Sequence, residues 1–119
     1  MTTTSRMSSG YTTRAEIMAT FDDDVAFVES LVVNFADRWP VLIGEIMAAF
    51  DAGDAGAVSR AAHTLKGSIG YFENGELFAT ASRVERITAA EMSLVPSLVA
   101  GLEQRLSDLT SYLNAEFAS

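Results

Sequence analysis

Apolar residues along this chain recur at steps of three and four, the spacing of one face of a helix, with little of the alternation that marks strands. Val25, Val28, Leu31, Val32, Phe35, Trp39, Leu42, Ile46 and Phe50 form the longest such run and predict one long helix. Pro40 lies inside it. A proline removes one backbone hydrogen bond and crowds the turn before it, so a kink or break is expected there, and the unbroken phase of the pattern favours a kink. Gly53 marks a turn, and Asp54 is placed to cap a second helix running to about Tyr71 or Phe72. Glu73-Asn74-Gly75 ends that helix. Asn74 is a candidate cap for a third, with Leu77, Ala81, Val84 and Ile87 as its stripe. Ser93 precedes a fourth, which tolerates Pro96 in its first turn and carries Leu98, Leu102, Leu106, Leu109 and Leu113.

Ahead of the long helix, Thr13 and Glu16 have capping-box spacing and predict a short helix through Phe21. Asp22, Asp23 and Asp24 read as a helix start, because carboxylates favour the positive helix end. Residues 1–13, rich in Ser and Thr, are expected to be a disordered tail, and residues 14–119 one domain. Short connections make successive helices antiparallel neighbours. The predicted fold class is therefore all-α, an up-down antiparallel four-helix bundle with a short extra N-terminal helix.

Composition narrows the function. The chain has 119 residues, 49% of them apolar, which suits one domain with a real core. Sixteen acids against eight bases give a net charge of −8, so a phosphate backbone would be repelled and no nucleic-acid partner is expected. No apolar run reaches the roughly 18–20 residues of a membrane helix. A cytoplasmic monomer is the expectation. The absence of cysteine excludes disulfides and thiolate metal sites, and a single histidine excludes any site needing two imidazoles from one chain.

The candidate chemistry sits in Arg60-Ala61-Ala62-His63-Thr64-Leu65-Lys66-Gly67-Ser68-Ile69-Gly70-Tyr71-Phe72. On a helical wheel Ala61, Leu65 and Phe72 fall about 160–200° from His63, so the core lies opposite the imidazole. Gly56, Ser59, Gly67 and Gly70 fall within about 40° of it, Lys66 about 60° away and Tyr71 about 80° away. Gly67 and Gly70 together cost roughly 2 kcal/mol of helix propensity. Glycine in a helix often marks a close approach, here by a separate molecule. A neutral imidazole nitrogen is a nucleophile near pH 7, and an ammonium beside it stabilises a phosphoryl group in transfer. Without further context, a lone histidine is more often simple surface and a lone lysine a solvated charge.

The run Ala62-His63-Thr64-Leu65-Lys66-Gly67-Ser68 resembles the signature of histidine-containing phosphotransfer (Hpt) domains, as do the Gly53-Asp54 turn, the long helix before it and Val84-Glu85 in the next helix. The resemblance implies a four-helix bundle with an exposed phosphoaccepting histidine. It implies that His63 takes a phosphoryl group from a receiver-domain aspartate and passes it to another, that Lys66 assists, and that Gly67 lets the receiver approach. Ser59, Gly67, Gly70 and Tyr71 become the candidate partner-binding residues. The expected partners are receiver domains of response regulators and hybrid histidine kinases. No cofactor is expected in this chain; the resemblance has the receiver bring Mg2+. Nothing resembles a nucleotide-binding loop, so a carrier rather than a kinase is expected. The competing class is a non-catalytic helical module that docks a partner over the His63 face. A metal or haem site ranks third, since one histidine leaves the other ligands to carboxylates or a partner.

Overall fold

The structure is a computed structural model describing residues 11–117, and among these every regular element is helical. We number the helices α1 (Arg14–Thr20), α2 (Val25–Asp51), α3 (Ala55–Ile69), α4 (Glu76–Glu85) and α5 (Val95–Phe117), with a 3-10 helix at Ala89–Leu94 ahead of α5. The four larger helices close a ring: α2 packs on α3, α3 on α4, α4 on α5 and α5 on α2. Their apolar stripes meet in one core that includes Ile46, Leu65, Ile69, Phe72, Leu77, Leu102, Leu106 and Leu109. The bundle with a short extra helix is the predicted architecture.

The helices are unequal in length. At about 1.5 Å per residue, α2 and α5 are much longer than α3 and α4. They run on past the α3–α4 turn, where α1 and the residues before it cover them. Ile17 and Met18 of α1 are buried, and so are Val28 near the start of α2 and Phe117 at the end of α5. Thr13 and Glu16 form the expected capping box. Arg14 donates to the Glu116 carbonyl and lies over the Phe117 ring.

The expected tail falls mostly on residues 1–10, which lie outside the described residues. Tyr11, Thr12 and Thr13 are held against the bundle. The Thr12 amide donates to the Phe72 carbonyl at 2.8 Å, Tyr11 bridges to Glu73, and the Tyr11 and Tyr112 rings lie 4.8 Å apart.

Several boundaries differ from expectation for local reasons. Asp22 and Asp23 are in the left-handed region (φ 56° and 60°) and form the link between α1 and α2. Only Asp24 caps, accepting from the Phe27 amide. α2 runs on through Pro40, so of the two expected outcomes the break does not occur. α3 ends at Ile69, before Tyr71 and Phe72. Asn74 does not cap α4; Gly75 holds the cap position, and the carboxylate of Glu73 supplies the missing acceptor. It accepts from the amides of Gly75, Leu77 and Phe78 at 2.9–3.0 Å and is only 3% exposed. Thr88 and Glu91 add an unforeseen capping box at the 3-10 helix.

Candidate functional site

The site is built on α3. Gly53, at φ +69°, turns the chain after α2, a conformation glycine adopts without steric cost. Asp54 then accepts from the Ala57 amide and starts α3. The apolar stripe of α3, Val58, Ala61, Ala62, Leu65 and Ile69, is buried. That fixes the rotation of the helix and sends His63 outward, its side chain 69% exposed. The orientation read from the wheel holds. α3 carries Arg60 and Lys66 and no carboxylate, within a chain of net charge −8.

The nearest carboxylate to His63 comes from α4. Glu85 places Oε2 2.8 Å from His63 Nδ1 and Oε1 2.5 Å from Lys66 Nζ. Lys66 and Glu85 are about three-quarters covered, at 25% and 23% side-chain exposure. The Lys66 ammonium and then the His63 ring hold the Glu85 carboxyl below the usual carboxylate range. An ionised carboxylate is acceptor-only, so Nδ1 must carry the hydrogen in this bond. In the neutral ring the lone pair then lies on Nε2. Lys66 also lies 5.8 Å from the Phe78 ring centroid.

The remaining candidates divide. Gly67 is exposed, and a Cβ built on it meets nothing within 4 Å, so the surface beside His63 is open. Gly70 is exposed with an ordinary helical φ of −59°, and a Cβ there would meet the Phe78 ring at 3.4 Å. Tyr71 is 52% exposed, with Phe21 of the α1–α2 link 5.7 Å from its ring. Ser59 turns inward and donates to the Glu85 carbonyl at 2.6 Å.

Glu85 is the residue whose place beside His63 sequence reasoning did not derive. The signal was present in the hairpin arithmetic. Antiparallel helices pair residues equidistant from their turn, and the midpoint of 63 and 85 is 74, inside the Glu73-Asn74-Gly75 turn.

The sequence model of the Hpt domain matches residues 30–112, well over half of the chain. The chain belongs to the Hpt domain family. Hpt domains are phosphoryl carriers rather than enzymes in their own right. The Hpt match begins inside α2 and ends inside α5, so α1 and the close of α5 lie beyond it. No curated protein and no solved structure matches the chain.

Proposed function

We propose that this Hpt domain is a phosphorelay intermediate that carries a phosphoryl group on His63 between receiver-domain aspartates. The observation that supports it most is an exposed imidazole whose Nδ1 is engaged by an ionised carboxylate, which leaves Nε2 as the nucleophile. In the forward step the Nε2 lone pair attacks the phosphorus of an aspartyl phosphate. The P–N bond forms as the P–O bond breaks, and the aspartate carboxylate leaves with its electron pair. The ring then bears positive charge while its Nδ1–H goes on donating to Glu85, whose negative charge offsets it. Lys66, one turn along, is placed to swing from Glu85 toward the phosphoryl oxygens. The return step reverses these changes. Both the acyl phosphate and the phosphoramidate are high-energy linkages, so the phosphoryl group can move either way.

Gly67, Gly70 and Tyr71 are the residues over which the receiver would dock, with the open space above Gly67 letting it reach Nε2. No group of three histidine, cysteine, aspartate or glutamate side chains suited to a metal occurs among the described residues. In this reading Mg2+ belongs to the receiver. No helix among the described residues is long and apolar enough to cross a membrane. The reading places the protein in the cytoplasm as a monomer, with receivers of response regulators and hybrid histidine kinases as partners.

Replacement of the acceptor tests this directly. His63→Gln should melt close to wild type, because the side chain is mostly exposed, and should carry no acid-labile phosphate after incubation with phosphorylated receivers from the same cell. Acid-labile phosphate retained on the variant, read by intact mass, would falsify the assignment.

A further inference from the structure

Ser59, His63 and Lys66 occupy one stripe of α3 at spacings of four and three, and all three end on the same residue. His63 and Lys66 hold the two carboxylate oxygens of Glu85, and Ser59 holds its backbone carbonyl. We propose that Ser59 is a positioning residue for phosphotransfer. Its hydroxyl pins the last residue of α4, and through it the carboxylate that keeps His63 in the Nδ1–H tautomer. The inference rests on the phosphorelay reading and deepens it.

The need for a pin follows from where Glu85 sits. It is the last residue of α4, so its carbonyl has no amide partner within the helix. α4 is only 10 residues long, and helices that short depend on tertiary contacts. Helix ends fray, and a side chain on a fraying turn shares its motion. A carboxylate that must hold an imidazole at hydrogen-bond distance needs that turn fixed.

The choice of partner by Ser59 is informative. A hydroxyl within a helix commonly bonds back to the carbonyl four residues earlier. Thr64 does so to Arg60, and Ser68 to Thr64, on this same helix. Ser59 instead reaches across to α4, at the shortest distance of the three. Both ends of Glu85 are thereby referenced to α3, the helix that carries the nucleophile. Movement of the last turn of α4 against α3 is thereby restrained at the residue that faces His63.

The chain has one histidine, so nitrogen-15 NMR of the imidazole reads the tautomer without overlap. The full chain should be compared with Ser59→Ala and Ser59→Thr at about pH 8.5, where an ordinary imidazole is neutral. Wild type should show the Nδ1–H tautomer in excess. Ser59→Ala should move the nitrogen shifts toward a mixture and slow receiver-to-His63 transfer about three- to tenfold, the effect of one lost orienting hydrogen bond. Ser59→Thr, which keeps the hydroxyl, should restore both. In a Glu85→Gln background Ser59→Ala should change the tautomer no further, because its effect runs through that carboxylate. If Ser59→Ala lowers the melting temperature but leaves the nitrogen shifts as in wild type, Ser59 merely ties two helices and the proposal is wrong. A wild-type chain that accepts no phosphoryl group would instead overturn the phosphorelay reading itself, whatever the tautomer does.

Discussion

Two glutamates bracket α4. Glu73, just ahead of the helix, is buried, and its carboxylate accepts from three main-chain amides. Glu85, at the far end, is partly exposed, and its carboxylate meets only side chains. The helix dipole sharpens the contrast: negative charge is favoured at the N-terminus, beside Glu73, and disfavoured at the C-terminus, beside Glu85. Glu73 therefore stabilises the helix it precedes, whereas Glu85 depends on Lys66 and His63 to hold its charge there. Donors on the main chain cannot leave without unwinding α4. A lysine and an imidazole can rotate, so the set around Glu85 can rearrange when an anion arrives. Two similar carboxylates a helix apart thus do different things, one locking the fold and one, in the proposed relay, preparing a reaction.

The largest expected break in this comparison is Glu73→Ala. Three amides in and around the first turn of α4 would lose a charged acceptor in a buried place, at a cost of about 3 kcal/mol or roughly 12 °C in melting temperature. Transfer to His63, measured at a temperature where the variant is folded, should stay close to wild type. An unchanged melting curve would show that water replaces the carboxylate without loss.

Gly67→Gln should do the opposite. Nothing lies within 4 Å of an added Cβ, and glutamine is the better helix former, so the melting temperature should hold or rise. The long side chain would stand between the imidazole and the docking receiver. A displacement of ~1 Å can cost ~100-fold in transfer, about 2.7 kcal/mol. Thermal unfolding and receiver-to-His63 transfer, run on one preparation, check both halves. Normal transfer by the folded variant would mean that the receiver does not dock over this face.

The smallest effect is a pH dependence. The Glu85 carboxyl is held below its ordinary value near 4.5, with Lys66 the main cause. A lowered folded-state value means that Glu85 contributes stability above pH 4.5 and loses it as pH falls through the folded value. The difference in melting temperature between wild type and Glu85→Gln should be present in full above pH 4.5 and shrink as the pH falls below it. A difference that stays constant across that range would show that the carboxylate charge contributes nothing.

These residues also mark what the sequence made legible. The outward turn of His63 followed from wheel arithmetic, because a buried apolar stripe fixes the rotation of a helix whatever its neighbours are. The Thr13–Glu16 capping box was equally local. Glu73 was not legible as a cap, since Asn74 is the better cap by residue type and only the folded turn shows which acceptor reaches the amides. The run Asp22-Asp23-Asp24 signalled a helix start, but composition does not separate the one capping carboxylate from two residues in a left-handed link. Ser59 lay on the polar side of its wheel and read as solvent-facing. A wheel describes one helix, and the bond from Ser59 to α4 depends on the neighbour.

The arm ahead of α1 and the last two turns of α5 meet, Arg14 reaching the Glu116 carbonyl and the Tyr11 ring packing at a tilt against Tyr112. Cyclic rearrangement of the gene is therefore geometrically open. A short polar linker from Phe117 to Tyr11 would close the described bundle, and the Ala52–Gly53 turn, exposed at the edge of the bundle, offers a new opening. In such a permutant the helix that carries His63 would become the first element synthesised, with the long helix that precedes it here made last.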